Sequence, residues 1–262
     1  MNLKNKKVLI TGGDKGIGKE LTKGFINKGV SHIAIMSRSL SGLTELEKEY
    51  PDVNFIGVKG DMSVTEDLKN LITEIEQSWG SFDILVNNAG VVSAGAFESI
   101  SDEDVVIMIQ VNLTGAILLT KYSMPLLLKS DAPAVMNISS GLGLIGMPFY
   151  GVYAATKAGL RQFSDSLRRE YAPQNLNVIC VYPTATDTDM MTSSGRENMD
   201  SPAMVAQESI AALERGDIKI VFGGLQREKD VLFNFAHPEK MDESIAEKYD
   251  DLKKSTQNHR AM

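Results

Sequence analysis

An apolar run over residues 7–11 ends at once in a glycine cluster, and an amphipathic segment over 19–28 follows with Leu21, Phe25 and Ile26 on one side. Strand, glycine turn, helix is the opening of a βαβ unit. The glycines let the backbone approach a pyrophosphate, and the helix N-terminus offers amide donors and the positive end of a dipole. The spacing is Gly-x-x-x-Gly-x-Gly, so Gly12, Gly16 and Gly18, with Lys15 and Ile17 between them, form the expected phosphate cradle.

The same alternation continues along the chain. Strand patterns fall over 31–36, 53–59, 82–86, 134–138, 177–182 and 218–222, and helix patterns over 40–50, 63–77, 102–129 and 151–171. Strands alternating with helices require a parallel sheet covered on both faces. The expectation is an α/β chain: one Rossmann-type, doubly wound parallel sheet with helices on both faces, spanning 1–262 as a single domain. Ligands of such sheets bind outside the C-terminal ends of the strands.

Those strand ends carry polar residues. After the second strand stand Ser37 and Arg38, where an acidic residue would grip a ribose 2′-hydroxyl. Arg38 and Lys15, two cations with no carboxylate, suit a 2′-phosphate, hence NADP(H) in preference to NAD(H); the alternative for Arg38 is a solvated loop cation. Asp61 follows the third strand, placed either to hydrogen-bond an adenine amino group or to cap the next helix. Asn87 and Asn88 end the fourth strand, where buried amides tie neighbouring strands together and shape the cofactor floor. Asn112 lies midway along an apolar helix, and a buried amide there requires a partner.

Tyr153 and Lys157 are four apart and share one helix face. A free phenol titrates near ~10, and a neighbouring ammonium favours the phenolate, so Lys157 is expected to lower the value of Tyr153. A hydroxyl from Ser139 or Ser140, delivered by the fifth strand, would bind the oxygen that the phenol protonates.

Composition narrows the classes. A hydrophobic share of 43% and a charged share of 23% are those of a soluble globular protein. A net charge of −7 with no basic block argues against nucleic-acid binding. Cys180 is the single cysteine and sits in an apolar run, as a buried, inert thiol would. The first residues enter a strand pattern directly, with no targeting segment. The uncharged run 105–120 is interrupted by Gln110 and Asn112 and followed by Lys121 and Pro125, which fits a buried helix better than a membrane span. A soluble, cytoplasmic protein is expected.

Together these motifs resemble the short-chain dehydrogenase/reductase family, from residue 6 to about 224. The Thr-Gly-x-x-x-Gly-x-Gly motif falls on Thr11, Gly12, Gly16 and Gly18, and Asn-Asn-Ala-Gly on residues 87–90. The resemblance implies a catalytic tetrad of Asn112, Ser140, Tyr153 and Lys157; Ser140 is preferred over Ser139 because the family's serine stands thirteen residues before its tyrosine. Tyr153 would be the general acid-base and Ser140 would polarise the carbonyl. Lys157 would lower the phenol's pKa and hold the nicotinamide ribose, and Asn112 would hold the water connecting Lys157 to solvent. Implied cofactor contacts are Gly12, Lys15, Gly16, Ile17, Gly18, Ser37, Arg38, Asp61, Met62, Asn88, Ala89, Gly90, Tyr153, Lys157, Pro183, Thr186 and Thr188. The family's Pro-Gly after the sixth strand is Pro183-Thr184 here.

The substrate lid is expected over 189–205, rich in methionine, and Met147, Phe149 and Tyr150 would line the same pocket. Ser140, Met147, Tyr150, Tyr153, Met190 and Met191 are the expected substrate contacts, suited to a moderately hydrophobic ketone, aldehyde or secondary alcohol. Residues 225–262 read as one or two polar helices broken at Pro238, an added surface element. A homodimer or homotetramer is expected, with the long helix and the catalytic helix pairing across a two-fold axis. The leading function is an NADP(H)-dependent carbonyl reductase. The alternatives are an NAD-dependent alcohol dehydrogenase, a non-catalytic dinucleotide sensor, and dehydratase or epimerase chemistry on the same scaffold. No metal is called for.

Overall fold

The first strand, β1 (Lys7–Thr11), shows how the sheet divides the core. Val8 and Ile10 point to one face and Leu9 to the other, and all three are fully buried. Successive strands repeat the split, so two hydrophobic layers sandwich one sheet. In the computed structural model, which describes residues 1–194 and 198–262, the elements follow in order. They are α1 (Gly16–Asn27), β2 (His32–Ser37), α2 (Leu43–Glu49), β3 (Asn54–Lys59), α3 (Thr65–Trp79), β4 (Ile84–Asn87) and β5 (Val92–Ser93). Then come α4 (Asp102–Ile109), a π-turn (Gln110–Gly115), α5 (Ala116–Leu127), β6 (Ala134–Ile138), α6 (Gly151–Glu170) and β7 (Asn177–Tyr182). The chain closes with α7 (Pro202–Arg215), β8 (Lys219–Val221), α8 (Gly224–Ala236), α9 (Pro238–Ala246), α10 (Tyr249–Thr256) and β9 (Arg260–Ala261).

The sheet has the order β3-β2-β1-β4-β6-β7-β8, with every pair parallel. One layer joins α1 and α7 to the strand residues Ile10, Ile35, Val86 and Val181. The other packs Leu68, Leu71 and Ile75 of α3 and Leu119 of α5 against Leu9, Leu85 and Val135. Each such side chain taken from water contributes about 1.5–3 kcal/mol. Strand order reverses between β1 and β4, and a crevice opens there at the strands' C-terminal ends.

Helix ends differ from the sequence expectation by a few residues. The helix expected from residue 40 begins at Leu43, and the one expected from 63 begins at Thr65, because Ser63 is held in a turn by Asp61. The long helix over 102–129 is interrupted by the π-turn around Asn112. By length and composition Asp102–Leu127 is apolar enough to cross a membrane; here it packs within the fold, α5 against α3 and α4 against α6.

Two corrections are larger. The expected lid, 189–205, runs into α7: Met204 packs on the core and Val205 is fully buried in it. The part over the crevice is therefore the 3₁₀ segment Asp189–Ser194, while residues 195–197 of the expected lid lie outside the described residues. The tail over 225–262 is also more than a surface addition. Pro238 does open a helix, as its missing N–H allows, but three helices form, and β9 returns to pair antiparallel with β5 beside the crevice.

Candidate active site

The site is assembled from strand ends. Thr11, at the end of β1, accepts hydrogen bonds at Oγ1 from the backbone N–H of Asn88 and Ala89, both 3.0 Å. Asn88 Nδ2 donates to the Thr11 carbonyl at 2.9 Å, and Asn87 Nδ2 donates to Asn137 Oδ1 at 2.8 Å. The two amides thus tie β1, β4 and β6 together beneath the crevice. Asn87 is buried; its Nδ2 is satisfied by Asn137 and by Thr120 Oγ1 at 3.0 Å, while its Oδ1 has no partner among the described residues.

The glycine turn fits a phosphate cradle. Gly12 and Gly16 have φ of 63° and 48°, in the left-handed region. A β-carbon at Gly18 would lie 2.0 Å from the Gly12 carbonyl oxygen, so this position must be glycine for α1 to start so close to the turn. Gly18 therefore acts from beneath the loop: it does not line the crevice, in contrast to the contact expected of it. Gly12, Lys15, Gly16 and Ile17 do line it.

The crevice encloses about 710 Å³, a volume suited to a ligand of cofactor size. Its walls include Ser37, Arg38, Asp61 and Met62 at one end, Asn88, Ala89 and Gly90 along the floor, and Pro183, Thr186 and Thr188 opposite. Cationic, amide and glycine walls in this order match the chemistry of a nicotinamide dinucleotide. Asp61 lines the crevice but does not cap α3, whose N-cap is Val64 with no side-chain bond; its Oδ1 instead accepts from the Ser63 N–H and hydroxyl in the turn before that helix. Arg38 is exposed and donates from Nη2 to the Met262 main-chain oxygen at 2.9 Å.

At the other end stand Ser140, Tyr153 and Lys157. The two serines after β6 face opposite ways, as alternation along an extended chain demands. Ser139 is buried and donates to the Lys157 carbonyl at 2.9 Å, fastening α6 to the sheet. Ser140 is the one whose hydroxyl acts on Tyr153, pulling its pKa down, and its oxygen accepts from Leu142 N–H at 3.1 Å. Lys157 is buried; its Nζ donates to the Ile138 carbonyl at 3.0 Å and lies 5.6 Å from the Tyr153 ring centre.

Burial governs both titrations. It pushes the Tyr153 phenol up to about 12, against the pull of the Ser140 hydroxyl, with Tyr150 adding to the rise. It pushes the Lys157 ammonium down to about 8. The sequence led us to expect a phenol lowered by Lys157. Desolvation sets the value instead, and the Lys157 ammonium is aimed at the Ile138 carbonyl.

Asn112 finds its partner in Val91. Oδ1 accepts from the Val91 N–H at 2.8 Å, and Nδ2 donates to the Val91 carbonyl at 2.9 Å and to Thr156 Oγ1 at 3.3 Å. The π-turn swings this side chain inward, a common use of such turns at functional sites. Asn112 thereby links the long helix, the strand end and α6.

The substrate end is walled by Met147, Tyr150, Met190 and Met191. Phe149, expected there, instead has a φ of 71°, lines a separate cavity and packs on Tyr249 at 5.2 Å between ring centres. Arg227, His259, Ala261 and Met262 also line the crevice and were missed from sequence. They come from the tail, and no local motif marks residues whose hydrogen-bond partners lie 69 to 224 positions away.

Comparison with known proteins agrees with this geometry. The short chain dehydrogenase family matches residues 6–199. The chain is 33% identical over 230 residues to 11-beta-hydroxysteroid dehydrogenase-like 3 of Arabidopsis thaliana, covering 86% of this chain and 72% of that protein. It is 31% identical over 235 residues to carbonyl reductase family member 4 of Danio rerio, covering 85% and 98%. Among solved structures, a short-chain dehydrogenase from Streptomyces avermitilis superposes with a TM-score of 0.77 at 25% identity, covering 94% and 96%. One from Burkholderia cenocepacia, solved in complex with NADP, superposes at 0.82 with 21% identity, covering 94% and 99%, a likeness of fold. The chain is thus an oxidoreductase belonging to the short-chain dehydrogenase/reductase family.

Proposed function

We propose that this enzyme reduces a moderately hydrophobic ketone or aldehyde with NADPH, by a Ser140–Tyr153–Lys157 mechanism. The observation that carries the reading is that Ser140, Tyr153 and Lys157 line one crevice together, at the apolar end of a cleft whose far end holds Arg38 and Lys15. The cofactor, when bound, supplies the hydride. Gly12, Gly16 and Ile17 would hold its pyrophosphate, Lys15 and Arg38 its 2′-phosphate, Asp61 and Met62 its adenine, and Thr186 and Thr188 its nicotinamide half.

The chain's own part is polarisation and proton delivery. Ser140 donates to the carbonyl oxygen, and Tyr153 passes its proton to that oxygen as it becomes an alcohol. A phenol held at about 12 is protonated at neutral pH, as the donor in a reduction must be. Lys157, titrating near 8, is largely cationic at neutrality and supports charge developing beside it. The apolar wall of Met147, Met190 and Met191 supports a hydrophobic substrate, and the relatives named for steroid and carbonyl substrates agree with it. A cytoplasmic homo-oligomer is part of the same proposal; fractionation of cells carrying the tagged full chain tests the location.

Tyr153→Phe tests the chemistry. Turnover of a ketone panel should fall by about 10²–10⁴-fold, the usual worth of general acid catalysis, while NADPH binding measured by fluorescence stays intact. Unchanged turnover would overturn the mechanism.

A further inference from the structure

Residues 259–262 cross the mouth of the crevice from its substrate end to its adenosine end. At the first end His259, 2% exposed, shares a hydrogen bond between Nδ1 and the Tyr150 hydroxyl at 2.8 Å, and its Nε2 meets the Met190 carbonyl at 3.0 Å. In the middle, β9 pairs with β5, Ser93 opposite Arg260 and Val92 opposite Ala261, and Ala94 N–H donates to the His259 carbonyl at 2.9 Å. Arg260 grips both oxygens of Asp104 at 2.8 and 2.9 Å. At the far end the Met262 oxygen takes a hydrogen bond from Arg38, the cation that the NADPH reading assigns to the 2′-phosphate.

We propose that this segment is a strap which competes with the cofactor's 2′-phosphate for Arg38, so that NADPH binds fully only as the strap lets go. The proposal rests on the NADPH reading and adds regulation to it. A phosphate takes a guanidinium best through two parallel N–H bonds. In the strapped state one of the donors is committed to Met262, and Met262 itself occupies the wall of the crevice. Beyond the buried His259 and its bonds, the outer half of the strap is held only by a two-stranded pairing of two residues per strand plus one ion pair. Asp104 is nearly buried and Arg260 is 62% exposed in its side chain, so the pair can be loosened without opening the core. A state that must be vacated before binding lowers apparent affinity by the fraction of molecules in it. Weakening the anchor should therefore tighten NADPH, whereas NADH, which has no 2′-phosphate, should gain far less.

The experiment is a fluorescence titration of the full chain with NADPH and NADH, without substrate. Arg260→Gln and Asp104→Asn each loosen the anchor from one side. The expected result is about fivefold tighter NADPH binding in both variants and less than twofold change for NADH. Arg38→Ala placed in the Arg260→Gln background should cancel the gain. If NADPH affinity is unchanged or weaker in both anchor variants while Arg38→Ala still weakens NADPH, the strap proposal is overturned and the NADPH reading stands. If Arg38→Ala leaves NADPH affinity unaltered in both backgrounds, the 2′-phosphate reading falls and the strap falls with it.

Discussion

Lys157 carries a charge in a place that disfavours charge. Its ammonium titrates near 8 in the fold against 10.5 for the free side chain, so between those pH values the unfolded chain binds more protons. Stability therefore rises with pH across that window, and below pH 8 the full cost of the buried ammonium is felt. Lys157→Met should abolish turnover and yet stabilise the fold at pH 7 by about 1–2 kcal/mol. That figure is the fall from 10.5 to about 8 expressed as free energy, discounted for the lost bond to Ile138. The gain should fade as pH is raised toward 10.5; denaturant melts of both proteins at pH 7 and 10 check it, and equal stability at pH 7 would contradict the burial argument. The position of this residue was legible from its spacing to Tyr153, but its effect on the phenol was not. Spacing says that two side chains share a face, whereas the titration depends on desolvation and on where the ammonium points. The choice between Ser139 and Ser140 is of the same kind: strand alternation sends one to α6 and the other to Tyr153, and sequence alone marks both.

At the scale of elements, the π-turn is the feature that sequence could not announce. The apolar periodicity over 102–129 reads as one helix, and one extra residue in a turn changes that pattern too little to be seen. What the sequence did carry was the problem the turn solves: an asparagine on an apolar helix, needing a partner. The turn delivers Asn112 to both main-chain groups of Val91. Asn112→Ala would leave a buried N–H and a buried carbonyl unpaired and should cost about 2–4 kcal/mol. Urea melts read this directly, and a loss below 0.5 kcal/mol would mean that Val91 finds other partners. Turnover should fall as well, because Val91 adjoins Gly90 on the floor of the crevice and Asn112 also holds Thr156, one residue before Lys157.

At the scale of the whole molecule, topology followed from the sequence because alternating strand and helix patterns leave a parallel sheet few ways to be covered. The return of the tail to the crevice did not follow, since β9 is two residues long and its partner lies far away in the chain. Surface chemistry points to one more level of organisation. Val106 and Ile109 of α4 are 51% and 42% exposed, and Phe97, just before that helix, is 76% exposed. Val106 and Ile109 lie on the long helix expected to pair with its copy around a two-fold axis, and Phe97 precedes it. A self-complementary contact repeats every change twice, so one substitution there counts double. Sedimentation at micromolar concentration should give a dimer or tetramer, and Ile109→Arg should shift it toward monomer by placing two like charges across the axis. The substitution touches an exposed site, so folding and the Ser140–Tyr153 geometry within each subunit should survive it. A monomeric parent chain would remove the interface outright. A variant that remains oligomeric would move the contact elsewhere, with the exposed apolar residues of α8, Leu225, Leu232 and Phe235, as the next surface to substitute.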